Sequence, residues 1–149
     1  MNAKLPVSVL VVVHTAALDV LLLERSSRPG YWQSVTGSLD RLDEPVADAA
    51  RRELLEETGI AAAAGRLEAW NVVNVFEIFA EWRHRFAPGT THNTEHVFSL
   101  IVPEPLPVTL EPREHLRYAW LPWAEAAQKV FSWTNADAIK ALPQRSRGQ

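Results

Sequence analysis

Cysteine is absent from this 149-residue chain. No disulfide framework and no thiolate metal site is open to it, and a reducing cytoplasm is the expected compartment. Long apolar runs are missing as well. The longest, from Val7 to Val13, is interrupted by Ser8 and falls short of the ~18 residues a membrane span needs, so no membrane partner is expected. The N-terminal stretch carries one lysine, Lys4, and no small-residue cleavage site behind an apolar core, so no signal peptide is expected. An excess of basic charge is lacking too. Lysine and arginine number 15 against 18 acidic residues, a net charge of −3, which disfavours a nucleic-acid partner held by a broad basic surface. Internal repeats, low-complexity tracts and domain-separating linkers are not found. What remains is an ordinary globular balance, 47% hydrophobic and 22% charged, over a length typical of one domain. One domain is expected over residues 1–149, with 144–149 as a frayed tail, and a monomer is the default.

Hydrophobic patterning predicts a mixed α/β layer structure. Residues 6–13 are β-branched and apolar and read as a buried strand, with 18–24 as its hairpin partner. A loop is expected at 26–31 and a short strand at 32–35. Residues 43–58 read as a helix, with Asp43 as N-cap, Pro45 in the first turn and Gly59 as the stop. Val46, Ala49, Ala50 and Leu54 recur at helical spacing and form its core face. Strands are predicted over 67–79, 81–86, 95–102 and 115–121, with a loop at 87–93. Pro103, Pro105 and Pro107 make the following stretch a loop. Short helices are predicted over 123–130 and 134–142.

The carboxylates are unevenly distributed: seven of the 18 lie between Asp40 and Glu57. Positions three and four apart are neighbours on a helix, so Glu53 lies beside both Glu56 and Glu57. Like charges on one surface repel. Arg52 offsets part of this, and a divalent cation would offset more. Oxygen ligands without Cys or clustered His select a hard cation such as Mg2+, with Mn2+ as a substitute. A solvated acidic face is the competing reading.

Residues 52–60 read Arg-Glu-Leu-Leu-Glu-Glu-Thr-Gly-Ile. This resembles the second half of the Nudix box, R-E-U-x-E-E-x-G-U with U aliphatic, at every defined position. Glu44 stands eight positions before Arg52, as the box asks. The box's leading glycine is expected at 38, where this chain has Ser38; the nearest is Gly37, so the loop is one residue longer. The resemblance implies a Nudix-type α/β/α sandwich with a central mixed sheet. It also implies hydrolysis of a nucleoside-diphosphate-type moiety with Mg2+ held against a pyrophosphate. Glu53 and Glu57 would be metal ligands, Glu56 a further or water-mediated one, and Arg52 would orient them by ion pairing.

Other segments narrow the resemblance. They are Trp32–Gln33, Val35-Thr36-Gly37, Phe76-Glu77-Ile78-Phe79, Arg83-His84-Arg85-Phe86, Asn93-Thr94-Glu95, Glu114-His115 and Ser132-Trp133-Thr134-Asn135. In this order they are similar to the bacterial Nudix branch that acts on 7,8-dihydroneopterin triphosphate. That resemblance implies Glu114 as a third metal carboxylate. It implies substrate contacts from Lys4, Arg25, Thr36, Phe76, Glu77, Ile78, Phe79 and Ser132. On residue type alone Glu114 reads as a surface glutamate, Lys4 and Arg25 as solvated, and Ser132 as a helix N-cap. Trp32, Phe76, Phe79 and Trp133 are candidates for an aromatic wall against a flat pterin. Arg83 and Arg85, alternating along a strand, would share one face and receive distal phosphates. A diphosphatase acting on dATP or an oxidised purine nucleotide is the alternative, since a nucleoside triphosphate shares the triphosphate and flat base. A nucleotide-binding module without catalysis is disfavoured because Glu53, Glu56 and Glu57 are all present.

Overall fold

The computed structural model describes residues 3–147. The chain opens with β1 (Val7–Thr15) and β2 (Asp19–Arg25), then two short strands, β3 (Trp32–Gln33) and β4 (Val35–Ser38). Helix α1 (Val46–Thr58) follows, then β5 (Arg66–Glu77), β6 (His92–Val102) and β7 (His115–Pro122). Helices α2 (Trp123–Lys129) and α3 (Trp133–Arg147) come last. Among the described residues the strands form one sheet in the order β3-β2-β1-β6-β5, with β4 added to β1 and β7 to β2.

The sheet is mixed. β1 and β6 run parallel in register from Val7↔Thr94 to Thr15↔Val102, while the other pairs are antiparallel. β1 and β2 meet at His14↔Val20. Beyond that β1 takes β4 as its neighbour, from Val11↔Val35 to Ser8↔Ser38, and β2 takes β3 and β7. Strands that start as a hairpin therefore acquire separate partners, and the sheet divides on that side of β1.

Alternation along the strands explains the layers. Val9, Val11, Val13, Leu21 and Leu23 pack with Ala49, Ala50 and Leu54 of α1. Leu10, Val12, Val20 and Leu22 pack on the other face with Ala126, Ala127, Ala138, Ile139 and Leu142 of α2 and α3. The result is the α/β/α sandwich that the patterning and the resemblance implied. Gly59 ends α1 in the left-handed conformation, φ +72°, and its N–H donates to the Leu55 carbonyl at 2.9 Å. Among the described residues no helix is long and apolar enough to cross a membrane.

Several sequence expectations are corrected. Asp43 does not cap α1. The helix starts at Val46 after Pro45, without a side-chain cap, because Asp43 pairs with Arg41 at 2.9 Å in a loop folded around Glu44. Residues 81–86 are not a strand: Ala80–Arg85 form a 3-10 helix. Six residues of alternation are too short a signal, and the ring of Phe79 stacks on Trp82 three residues later, 5.1 Å between centroids. Arg83 accordingly shares no strand face with Arg85. It pairs with Glu77 and donates to the Ile78 carbonyl at 3.0 Å. β6 starts at His92, inside the expected loop. The expected tail is helical through Arg147, continuing α3; residues 148–149 lie outside the described residues.

Candidate active site

Arg52 is the hub of the acidic helix. Its Nε and Nη2 each donate to a different oxygen of Glu44 at 3.1 Å, and Nη1 donates to Glu53 at 2.8 Å. Asp40 lies at 3.1 Å, Glu56 at 3.5 Å, and the Ser38 carbonyl accepts from Nη2 at 3.2 Å. This fork lowers the Glu44 pKa and raises the guanidinium's own affinity for its proton. Ser38, Asp40 and Glu44 of the longer loop thus all touch Arg52. Arg52→Lys, which cannot span this set, is expected to lose about 2 kcal/mol of stability. Denaturant midpoints check this, and an unchanged midpoint refutes it.

Gly37 is a close-approach glycine. A Cβ there would collide with the Glu53 carboxylate, so β4 can lie directly against α1. Burial raises the Glu53 pKa. Glu57 is buried more completely, and neither carboxylate oxygen has a hydrogen-bond partner. Burial first, then Glu53 and Glu114, push its pKa well up. His115 Nε2 stands 3.6 Å from Glu57 Oε1. Burial pushes that imidazole down to about 4, so it is neutral near pH 7 and gives Glu57 no compensating charge. Glu56 differs: its side chain is 58% exposed and engages Arg52.

Among the described residues, no three carboxylate or imidazole side chains stand ready to enclose an ion as placed. The donor chemistry nevertheless fits a hard divalent cation. Glu57 presents buried oxygens that no side chain or backbone donor within hydrogen-bond geometry satisfies; Glu53 and Glu114 add to the same field, and Arg25 offsets it only in part.

A cavity of about 410 Å³ opens where the sheet divides, on the α3 face. Gly37, Thr36 and Ser38 of β4 and Glu114 border it on the acidic side. Lys4, Arg25 and Arg85 supply cations. Burial and their mutual repulsion lower the proton affinity of Lys4 and Arg25. Arg25 Nη1 donates to Gln33 Oε1 at 3.0 Å, and its guanidinium lies 4.7 Å from the Trp82 ring centre. A second cavity, of about 390 Å³, adjoins the first and shares Arg25, Trp82, Arg85 and Glu114 with it.

The residues expected to contact substrate converge here: Lys4, Arg25, Thr36, Phe76, Glu77, Ile78, Phe79 and Ser132 all line the larger cavity. Ser132 also does what its residue type foretold. Its Oγ accepts from the Asn135 N–H at 3.3 Å at the start of α3. Of the four aromatic candidates, Phe76, Phe79 and Trp133 line the cavity. Trp32 does not. It is 8% exposed and packed in the α2–α3 core. Trp82 and Phe131 were not foreseen. Their rings meet edge to face at 5.7 Å and both touch Phe79. Neither position carries a local signal; only the fold brings 82 beside 131. Asn93 and Glu95 also line the cavity. Asn93 falls in the expected loop 87–93, so only β6 as folded shows the two as alternate polar positions of one strand.

Comparison with known proteins agrees with this geometry. The NUDIX domain description matches residues 4–142. The chain is 42% identical over 140 residues to dihydroneopterin triphosphate diphosphatase of Escherichia coli, covering 92% of this chain and 91% of that one. It is 39% identical over 136 residues to the Haemophilus influenzae protein of the same name, covering 89% and 84%. The solved structure of the Escherichia coli dihydroneopterin triphosphate pyrophosphohydrolase superposes with a TM-score of 0.88 at 41% identity. The superposition covers 94% of this chain and 96% of that one.

Proposed function

The chain belongs to the Nudix hydrolase family, and from that premise we propose that it hydrolyses 7,8-dihydroneopterin triphosphate to the monophosphate and pyrophosphate. The observation that carries this reading is the aromatic-walled cavity that runs onto Glu114 and Gly37 beside α1. It gives a flat heterocycle and a triphosphate one continuous seat.

Nudix hydrolases generally need a divalent metal such as Mg2+. In this chain Glu53, Glu57 and Glu114 are the ligands we assign, Glu56 is a further or water-mediated one, and Mn2+ is a substitute. When bound, the metal neutralises phosphate oxygens and acidifies a nearby water. The remaining work falls to the protein. Arg52 fixes the direction of Glu53 through the 2.8 Å bond. Lys4 and Arg25, buried and crowded by Arg85, are relieved by an incoming polyphosphate. Phe76, Phe79 and Trp133 offer apolar faces to the ring. Thr36, Glu77, Ile78 and Ser132 complete the contact set. Glu77 is already held by Arg83, and the Ile78 N–H by the Thr91 carbonyl at 2.8 Å.

The test is a pyrophosphate-release assay with Mg2+ on dihydroneopterin triphosphate, dATP and 8-oxo-dGTP side by side. The pterin is expected to have the highest kcat/KM. A value for dATP equal to or above it would favour the nucleoside triphosphate diphosphatase instead.

A further inference from the structure

One polar pair in the cavity wall is left without a task by this reading. Asn93, Glu95, Val97 and Ser99 share one face of β6, the face turned to α3. Val97 fits a core there, and Ser99 Oγ is used by the Trp70 indole N–H at 2.9 Å. Asn93 and Glu95 do not fit a core. They are 6% and 5% exposed, and both line the cavity.

Their hydrogen-bonding groups are only half used. Asn93 Nδ2 donates to Ser8 Oγ at 2.8 Å, which fixes the orientation of the amide. Glu95 sits between Asn74 of β5 and Ser8 of β1 in the strand registers, and Asn74 and Thr134 favour its charged form against the effect of burial. Asn93 Oδ1 and Glu95 Oε1 are almost wholly buried and have no hydrogen-bond partner. No basic side chain among the described residues forms an ion pair with Glu95, and burial raises its pKa. A buried acceptor left empty is costly, so two in one wall point to a ligand that brings donors. Phe76, in register beside Asn93, supplies an adjoining ring.

We infer that Glu95, with Asn93, reads the donor edge of the heterocycle, accepting from the adjacent ring N–H and exocyclic amino group of a 2-amino-4-oxo pyrimidine ring. The inference rests on the proposed substrate but separates from it, because guanine carries the same donor pair. Adenine does not: it presents a bare ring nitrogen next to its amino group. β1 runs between β2, which carries Arg25, and β6, which carries Glu95. Heterocycle and phosphates are thus received on different strands, and the edge contact sets specificity without entering the chemistry.

The experiment measures kcat/KM for dihydroneopterin triphosphate, dGTP and dATP on the wild type, Glu95→Gln and Asn93→Ala. Glu95→Gln is expected to lower the pterin and dGTP values about 100-fold and to leave dATP within about threefold, since a site built around a hydrogen-bond pair discriminates only while the pair is intact. Asn93→Ala must narrow the same ratios by about tenfold or more. Equal losses on all three substrates, or unchanged ratios in either variant, overturn the inference. Should Glu95→Gln not fold, Asn93→Ala decides alone. If the wild type rejects the pterin yet prefers dGTP to dATP, the proposed function fails and the dGTP-to-dATP ratio still judges Glu95.

Discussion

Glu57→Gln is expected to lower kcat about a thousandfold, about 4 kcal/mol of transition-state stabilisation, while the protein remains folded and becomes more resistant to unfolding without metal. The two halves have one origin. Glu57 is a buried carboxylate with neither oxygen partnered. Burial, then Glu53 and Glu114, raise its folded pKa well above the ordinary 4.5. Below the ordinary value both folded and unfolded chains are protonated and the site costs nothing. As pH rises through the raised folded value, the folded state must accept a buried charge that the unfolded chain carries freely, and stability falls. As pH is raised from about 5 in chelator, the wild type should therefore lose melting temperature relative to Glu57→Gln. Adding Mg2+ should raise the wild-type Tm and leave the variant nearly unmoved. Near-wild-type turnover at saturating Mg2+, or an equal Mg2+ shift in both, would remove Glu57 from the ligand set.

Gly37→Ala is expected to lower kcat about 100-fold with a Tm within about 2 °C of wild type. The added methyl group meets the Glu53 carboxylate rather than backbone. A side-chain end can turn away cheaply, so the fold survives. The direction of Glu53 does not: Arg52 holds it from one side at 2.8 Å and β4 confines it from the other. A displacement of about 1 Å in a positioning group is enough for such a loss. Wild-type turnover would mean that Glu53 tolerates displacement and does not touch the reacting phosphates. A collapse of Tm would mean that the strand–helix approach at Gly37 carries the fold itself.

These residues were readable in the sequence to different degrees, for physical reasons. Helix α1 was legible because the period of its apolar face, the carboxylate spacing and Gly59 all agree locally. Only its start was misplaced, since Asp43 engages Arg41 instead of the helix N-terminus. Lys4, Phe76 and Ser132 emerged from likeness to known blocks, as no local rule joins three such distant segments. Residues 81–86 failed because alternation over one short stretch cannot tell a strand from a 3-10 turn anchored by the Phe79–Trp82 stack. Trp32 failed because an indole signals burial without saying against what. The open acceptors of Asn93 and Glu95 were invisible in principle, since whether an oxygen is partnered depends on the strands beside it.

The clasp between Ser34 and Asn135 has a consequence for how the protein comes into being. The Asn135 amide accepts from the Ser34 N–H at 2.7 Å and donates to Ser34 Oγ at 3.0 Å, across 101 positions of chain. The parallel β1–β6 pairing is likewise remote in sequence, and such contacts form slowly because distant segments must first find one another. A chain emerging from the ribosome therefore completes the acidic helix long before it possesses a cavity. Of the residues that line it, Ser132, Trp133 and Asn135 are made after the others and close the wall. Competence to bind is acquired only when segments this remote in sequence become neighbours.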